Sequence, residues 1–315
     1  MKNNIFVKAC ALLLCTILLA VTVAADETEP EPVDLDALFE AKTYTSDDGF
    51  TMKYRLYIPE DYDSSKAYPC LLFLHGAGER GDDNAAQIKT GLPCIFTDAD
   101  SPAYEAIILA PQCPADFQWV DTPWGDGNYS VDNVPESKPM KAALAILEDV
   151  CLAYSVNRNR VYVTGLSMGG FGTWDALSRH SELFAAGMPL CGGGDPSCAD
   201  VLATKPIRIF HDRNDGVVPV QGSSQMNKAI RKASDPDNVL VSFQLTTGYG
   251  HGIWDYVYGE RENIDWLFSI NAELEPVVRM KAPETEPAKT PAWFVPSSRF
   301  FWATRLTRMI TVKSK

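Results

Sequence analysis

Histidine is scarce in this 315-residue chain, with only four. None of the eight cysteines stands in a Cys-x-x-Cys pair, so ligand spacing of the zinc type is missing and no metal is expected. Basic residues are outnumbered: 28 Lys and Arg face 41 Asp and Glu, for a formal net charge of −13. That balance excludes a general nucleic-acid binder built on phosphate contacts and gives no pull toward anionic lipid head groups. No period of 20–50 residues recurs, which removes repeat architectures. What is present is 46% hydrophobic and 22% charged, with 21 Gly and 21 Pro. Such a composition suits one large globular domain or two small ones, and excludes a coiled coil, a collagen-like repeat or a wholly disordered chain.

The two ends differ from the body. Residues 1–25 have the form of a secretory signal peptide: Lys2 and Lys8 precede an apolar run from Ala9 to Val23, and Val23 and Ala25 are small residues before a cut at Asp26. An uncleaved anchor is the competing reading, at the short end for a bilayer span. Export, to the extracellular space or a periplasm, is the expected localisation. Residues 26–40 follow as an acidic leader with seven acids and no Lys or Arg, expected to be solvated and to have little structure of its own. Residues 273–315 read as a linker rich in Pro, Glu and Lys and then a tail from Pro291. There Trp293, Phe294, Phe300, Phe301 and Trp302 lie among five basic residues and no acid. The tail is the one place where membrane contact is conceivable, since aromatic and basic side chains suit an interface; its role is unassigned.

Six cysteines remain after such a cut: Cys70, Cys94, Cys113, Cys151, Cys191 and Cys198. An exported protein can hold disulfides, and Cys191 and Cys198, close together across a Gly-rich loop, are the easiest pair. Cys70, in an apolar strand, and Cys151, on an apolar helix face, read as core thiols.

Between the ends, strand and helix patterns alternate. Tyr44–Ile58 is extended and roughly alternating; Cys70–Leu74 and Ala106–Ala110 are short continuous apolar runs, as strands buried on both faces should be. Apolar residues at Leu144, Leu147, Cys151 and Tyr154 mark a helix from Pro139 to Tyr154. Arg160–Thr164, Ala185–Leu190, Ile207–Phe210 and Val239–Leu245 read as further strands, with helices near Gly170–Arg179 and from about Glu260. Strands separated by helices over this length predict an α/β fold with a mostly parallel, doubly wound sheet.

The strongest chemical signal is Gly165-x-Ser167-x-Gly169, between an apolar strand and a helix. That context makes a nucleophile elbow, in which the Ser sits on a strained turn with its hydroxyl exposed. A serine hydroxyl needs a base, usually His. His180 lies beside Arg179 at a helix end and reads as solvated or capping. His211 closes a core strand and reads as a structural hydrogen-bonder. His75 precedes Gly76-Ala77-Gly78 and suits the shaping of an oxyanion hole. That leaves His251, in the loop Gly248–Gly252 after the last strand, where the order Ser, acid, His places the base. Two acids follow the strand Ile207–Phe210. Asp212 is so close to the strand end that it would brace the turn; Asp215, opening Asp-Gly-Val-Val-Pro, is favoured to orient His251. The oxyanion donors expected are the backbone N–H groups of Met168 and Ala77.

Together, His75–Asp83 (HGAGERGDD), Ala110–Pro114 with Trp119, Gly165–Trp174 (GLSMGGFGTW), Asp215–Pro219 (DGVVP) and Gly250–Trp254 (GHGIW) resemble the α/β-hydrolase superfamily. The segments look most like secreted bacterial carboxylesterases of the feruloyl and acetyl-xylan esterase and phospholipase–carboxylesterase types. They are also similar to the catalytic domains of prolyl-oligopeptidase-like enzymes and to dienelactone hydrolases. The resemblance covers Tyr44 to Ile270, within a catalytic domain bounded at 41–272. It implies an α/β-hydrolase without a large cap, hydrolysing carboxylic esters through a Ser167–Asp215–His251 triad and needing no cofactor. Asp212 stands where many relatives have Gly, which keeps both acids in view. The expected partner is a small-molecule or polysaccharide-linked ester, with acyl groups of plant cell-wall polymers foremost; a serine peptidase is the alternative. Trp119, Trp124 and Trp254, with Trp174, are candidates for an aromatic platform, packing being the competing reading.

Overall fold

The computed structural model describes residues 33–272, and the signal, most of the acidic leader and the tail lie outside the described residues. Eight strands form one sheet: β1 (Glu40–Thr45), β2 (Thr51–Tyr57), β3 (Tyr68–Leu74), β4 (Ile107–Gln112), β5 (Val156–Leu166), β6 (Ala186–Leu190), β7 (Ile207–Asp212) and β8 (Val241–Thr246). The helices are α1 (Leu35–Leu38), α2 (Leu92–Ile95), α3 (Lys138–Ala153), α4 (Met168–Arg179), α5 (Ala199–Leu202), α6 (Gln221–Ala233), α7 (Trp254–Gly259) and α8 (Arg261–Ser269). The strand order is β1-β2-β4-β3-β5-β6-β7-β8. The β1–β2 and β2–β4 pairs are antiparallel and every other pair is parallel.

Strands β3 and β6 and the C-terminal half of β5 are buried because both faces are covered, and their side chains divide by period two. On β3, Cys70, Leu72 and Leu74 join one core with Met140, Ala143 and Leu147 of α3, Trp174 and Leu177 of α4, and Met226 and Ile230 of α6. Leu71 and Phe73 face the other core, with Tyr258 of α7 and Ile264, Leu267 and Phe268 of α8. Helix α3 starts where Ser137 Oγ accepts from the Met140 N–H (3.2 Å), with Pro139 in its first turn. Each fully buried Leu or Phe in these layers contributes about 1.5–3 kcal/mol.

Four features differ from the sequence reading. Tyr44–Ile58 is not one extended segment but the β1–β2 hairpin, turned at Asp48-Gly49, where Gly49 takes φ +83° and Ser46 Oγ accepts from Phe50 N–H at 3.0 Å. Helix α6 has no counterpart in that reading: its buried positions Gly222, Ser223, Met226 and Ile230 make a thin stripe on a polar helix. The described end of the leader is ordered, because Leu35 and Phe39 are buried and the Asp34 carboxylate caps α1. Finally, Cys191 and Cys198 are not paired; all six described cysteines are free thiols. The Cys191 Sγ instead donates to the His251 carbonyl at 3.6 Å, within the sheet's C-terminal edge.

Candidate active site

Ser167 occupies the single-residue turn between β5 and α4 with φ 55° and ψ −118°, left-handed backbone that a non-glycine residue adopts only under constraint. The constraint is packing. A Cβ on Gly169 would stand 1.9 Å from the Leu74 carbonyl oxygen, and one on Gly165 would stand 2.4 Å from the Gly169 oxygen. Both approaches are to main chain, so glycine is obligatory at each. The turn leaves Ser167 only 8% exposed, at the C-terminal end of β5.

The sheet brings three of the sequence candidates together. His251 Nε2 lies 2.7 Å from Ser167 Oγ, and its Nδ1 lies 2.8 Å from Asp215 Oδ2. Since a carboxylate only accepts, Nδ1 carries the hydrogen and Nε2 is left to accept from the hydroxyl. Asp215 is fully buried, and burial alone would raise its pKa. Hydrogen bonds from His211, from His251 and from the N–H groups of Val217 and Val218 outweigh that and hold it well below the usual carboxylate range. Asp212 does not touch His251. Its carboxylate accepts from Thr246 Oγ1 (2.9 Å), Tyr249 N–H (3.1 Å) and Asn214 N–H (2.8 Å), so it ties the His251 loop to the end of β7.

The loop after β3 lies against the elbow: a Cβ on Gly76 would meet Leu166 Cδ1 at 2.8 Å. Side-chain hydrogen bonds hold it. His75 Nδ1–H donates to the Gly76 carbonyl (2.6 Å), while its Nε2 accepts from Cys113 N–H (2.9 Å). Trp119 Nε1–H donates to the His75 carbonyl (3.0 Å), and Arg80 Nε–H to the Ala77 carbonyl (3.0 Å). Burial lowers the His75 pKa to about 4, so the ring is a neutral brace. Among the described residues no acceptor takes the N–H of Ala77 or that of Met168, the first of α4.

No protein-family model matches the chain. Among curated proteins, a bifunctional acetylxylan esterase/xylanase of Neocallimastix patriciarum is 27% identical over 180 residues, which is 56% of this chain and 23% of that protein. A probable chloroplastic glutamyl endopeptidase of Arabidopsis thaliana is 27% identical over 158 residues, 47% of this chain and 16% of its own length. A probable feruloyl esterase C of Aspergillus terreus is 27% identical over 182 residues, 57% of this chain and 61% of its own. A solved thermostable esterase superposes with a TM-score of 0.67 at 33% identity, covering 75% of this chain and 64% of that one. The chain thus spans less than two thirds of each of these relatives. Sheet order, elbow and this likeness agree. The chain has the α/β-hydrolase fold.

The walls of the site correct part of the sequence reading. Trp119 is no platform: it is fully buried, spent on the His75 carbonyl and packed edge-on against the His75 ring. Trp174 is likewise buried, in the α4 core. Trp124 is half-buried, with the Arg80 guanidinium 5.8 Å from its ring centre. Trp254 is half-buried, and its ring meets the His251 imidazole edge-on at 5.5 Å. Tyr249, stacked on Tyr256 at 4.6 Å and 46% exposed, escaped the sequence reading, although its place two residues before His251 was the signal. Only 16 residues separate β6 from β7, so no large cap stands there.

Cys191 Sγ, an Asp215 oxygen and a His251 nitrogen lie within 4.8 Å of one another, a conceivable cation donor set. Both His251 nitrogens are already engaged, and burial pushes the Cys191 thiol far up, keeping it protonated.

Proposed function

We propose that the chain is a serine hydrolase of carboxylic esters, with Ser167 the nucleophile, His251 the general base and Asp215 the acid that orients it. The observation that carries this is the unbroken Ser167–His251–Asp215 hydrogen-bond chain on a strained elbow. In the proposed cycle His251 Nε2 takes the Ser167 proton as Oγ attacks the ester carbon. The Ala77 and Met168 N–H groups receive the oxyanion, and a donor of this kind is worth about 10²–10³ in turnover. The imidazolium then protonates the departing alcohol. Water, activated by the same ring, releases the acid from the Ser167 ester.

For substrate, we take acetyl or feruloyl groups esterified to plant cell-wall polysaccharide. The absence of a large cap suits a polymer-borne ester, Trp254 offers aromatic surface against His251 while Trp124 and Tyr249 are partly exposed rings, and two of the curated relatives are named for such esters. The signal-like residues 1–25 support export to where such polymers lie. The likeness to a glutamyl endopeptidase supports a second reading, a serine peptidase.

The test is hydrolysis of short-chain p-nitrophenyl esters and methyl ferulate by residues 26–315, beside Ser167→Ala. Turnover that vanishes in the variant supports the esterase, and the acyl preference separates acetyl from feruloyl substrates. Ester inactivity with peptide turnover would favour the second reading, and failure of a fluorophosphonate to label Ser167 would end both.

A further inference from the structure

The Asp215 carboxylate serves two histidines. Oδ1 accepts from the Val217 and Val218 N–H groups (2.8 and 2.9 Å). Oδ2 lies 2.8 Å from His251 Nδ1 and 3.2 Å from His211 Nε2, and the side chains of Asp215 and His211 are both fully buried. Among the described residues His211 Nε2 meets two acceptors, so that nitrogen carries a hydrogen: it donates to the Val218 carbonyl (3.1 Å), with the Asp215 oxygen close beside it as a polar contact. At Nδ1 it meets Ser223 Oγ (2.8 Å), which also reaches the Gly192 carbonyl (2.9 Å). Ser223 has one hydroxyl hydrogen for these two neighbours. If it donates to Nδ1 the ring is neutral; if it donates to Gly192 the ring is a cation. Nε2–H survives in either state.

We propose that His211 is a positioning residue of the hydrolytic machinery, its Nε2–H fixing the Asp215 carboxylate and drawing charge away from His251. This deepens the function proposed above and rests on it. The consequence is directional. A carboxylate with a second donor beside the shared oxygen presents less negative charge to His251 and is held in one orientation toward its Nδ1. The other groups facing this cluster are committed elsewhere. Asp212 points its carboxylate at Asn214, Thr246 and Tyr249, the Cys191 thiol faces the His251 carbonyl, Ser167 bonds His251 Nε2, and α7 presents the neutral Trp254.

Two amides of different reach test it. Asparagine places its amide near the Nδ1 position, against Ser223, and cannot reach Asp215; glutamine places an N–H near Nε2. The rate of Ser167 labelling by a fluorophosphonate, followed with pH, reads His251 without needing the natural ester. His211→Asn is expected to move the acid limb of that profile up by about 0.5–1 pH unit and to lower the plateau about tenfold. His211→Gln is expected to return the limb to the wild-type position. Limbs that coincide in all three proteins, or that shift alike in Asn and Gln, would overturn the proposal and leave His211 a packing residue. Should neither variant fold, nitrogen-15 spectra of the wild-type histidines, four in the whole chain, decide it. Nε2 of His211 is expected to carry a hydrogen, and an Nε2 carrying a lone pair would refute the proposal. Wild-type protein inert to the phosphonate would remove the hydrolase reading itself, a different result from an unmoved limb.

Discussion

Replacing Trp119 with Phe separates two roles for one side chain. A platform residue would alter substrate affinity and little else. In the structure Trp119 is a brace instead. Its Nε1–H is the partner of the buried His75 carbonyl, and its ring packs on the loop that carries Ala77. Phe keeps most of the ring but orphans that carbonyl, at about 1–3 kcal/mol, and opens a small cavity where the indole was wider, at about 1–2 kcal/mol. A total near 3 kcal/mol, at about 2–4 °C per kcal/mol for a domain of this size, predicts a Tm lowered by about 6–12 °C. The loosened loop misplaces the Ala77 N–H, so kcat on p-nitrophenyl acetate should fall about ten- to a hundredfold with KM nearly unchanged. Thermal unfolding and initial rates measure both. A Tm within about 1 °C of wild type together with a raised KM would refute the reasoning and return Trp119 to the substrate surface.

The two acids should separate in the same assay. Asp215→Asn is expected to cost about 10³–10⁴ in kcat by disrupting the His251 tautomer, and Asp212→Asn about 10², through a slackened His251 loop; equal losses would mean that the two carboxylates act in the same way. Both acids are held below their usual range in the folded protein, so their stabilisation is complete above the unfolded carboxylate value of about 3.9 and is lost as pH falls through the folded values. Acid unfolding should therefore steepen below about pH 4, and less so in either Asn variant. Glu136 accepts from His180 at 2.7 Å and raises the pKa of that histidine. The pair's stabilisation, at most about 1 kcal/mol at a partly exposed site, is full below about pH 6.5 and lost as pH rises through the folded value. Glu136→Gln should lower Tm at pH 6 and converge with wild type at alkaline pH. Thiol titration of denatured residues 26–315 without reductant should find six free thiols, with Cys70, Cys113 and Cys191 silent before unfolding; a Cys191–Cys198 bridge would reduce the count by two.

The elbow was legible because its requirements are local: glycines two residues either side of a serine, between an apolar run and a helix, admit few other conformations. His251 emerged because histidine is so rare that three others could be set aside. Asp215 against Asp212 could only be ranked, since both follow the same strand and the choice depends on which carboxylate a distant loop meets. Contacts made by chain reversal were not legible at all. The approach of His211 to Asp215 needs the turn that leads into α6, a helix whose narrow apolar stripe hid it from periodicity. Trp119 shows the limit for aromatics in loops, where neither spacing nor composition distinguishes a ring facing water from one folded beneath the strand it supports.

The glycine contacts divide the site into parts that can and cannot be retuned. At Gly165 and Gly169 any added methyl meets carbonyl oxygens, so no compensating side-chain change elsewhere could make room. Ser167 and the end of β3 are therefore locked as one unit. Gly78, beside Ala77, and Gly125, beside Trp124, have nothing within 4 Å of an added Cβ. On the proposed ester hydrolysis, variation in acyl preference has its open routes there, so a library built to redirect it should spend its diversity on residues 78–80 and 123–126 and leave the elbow untouched.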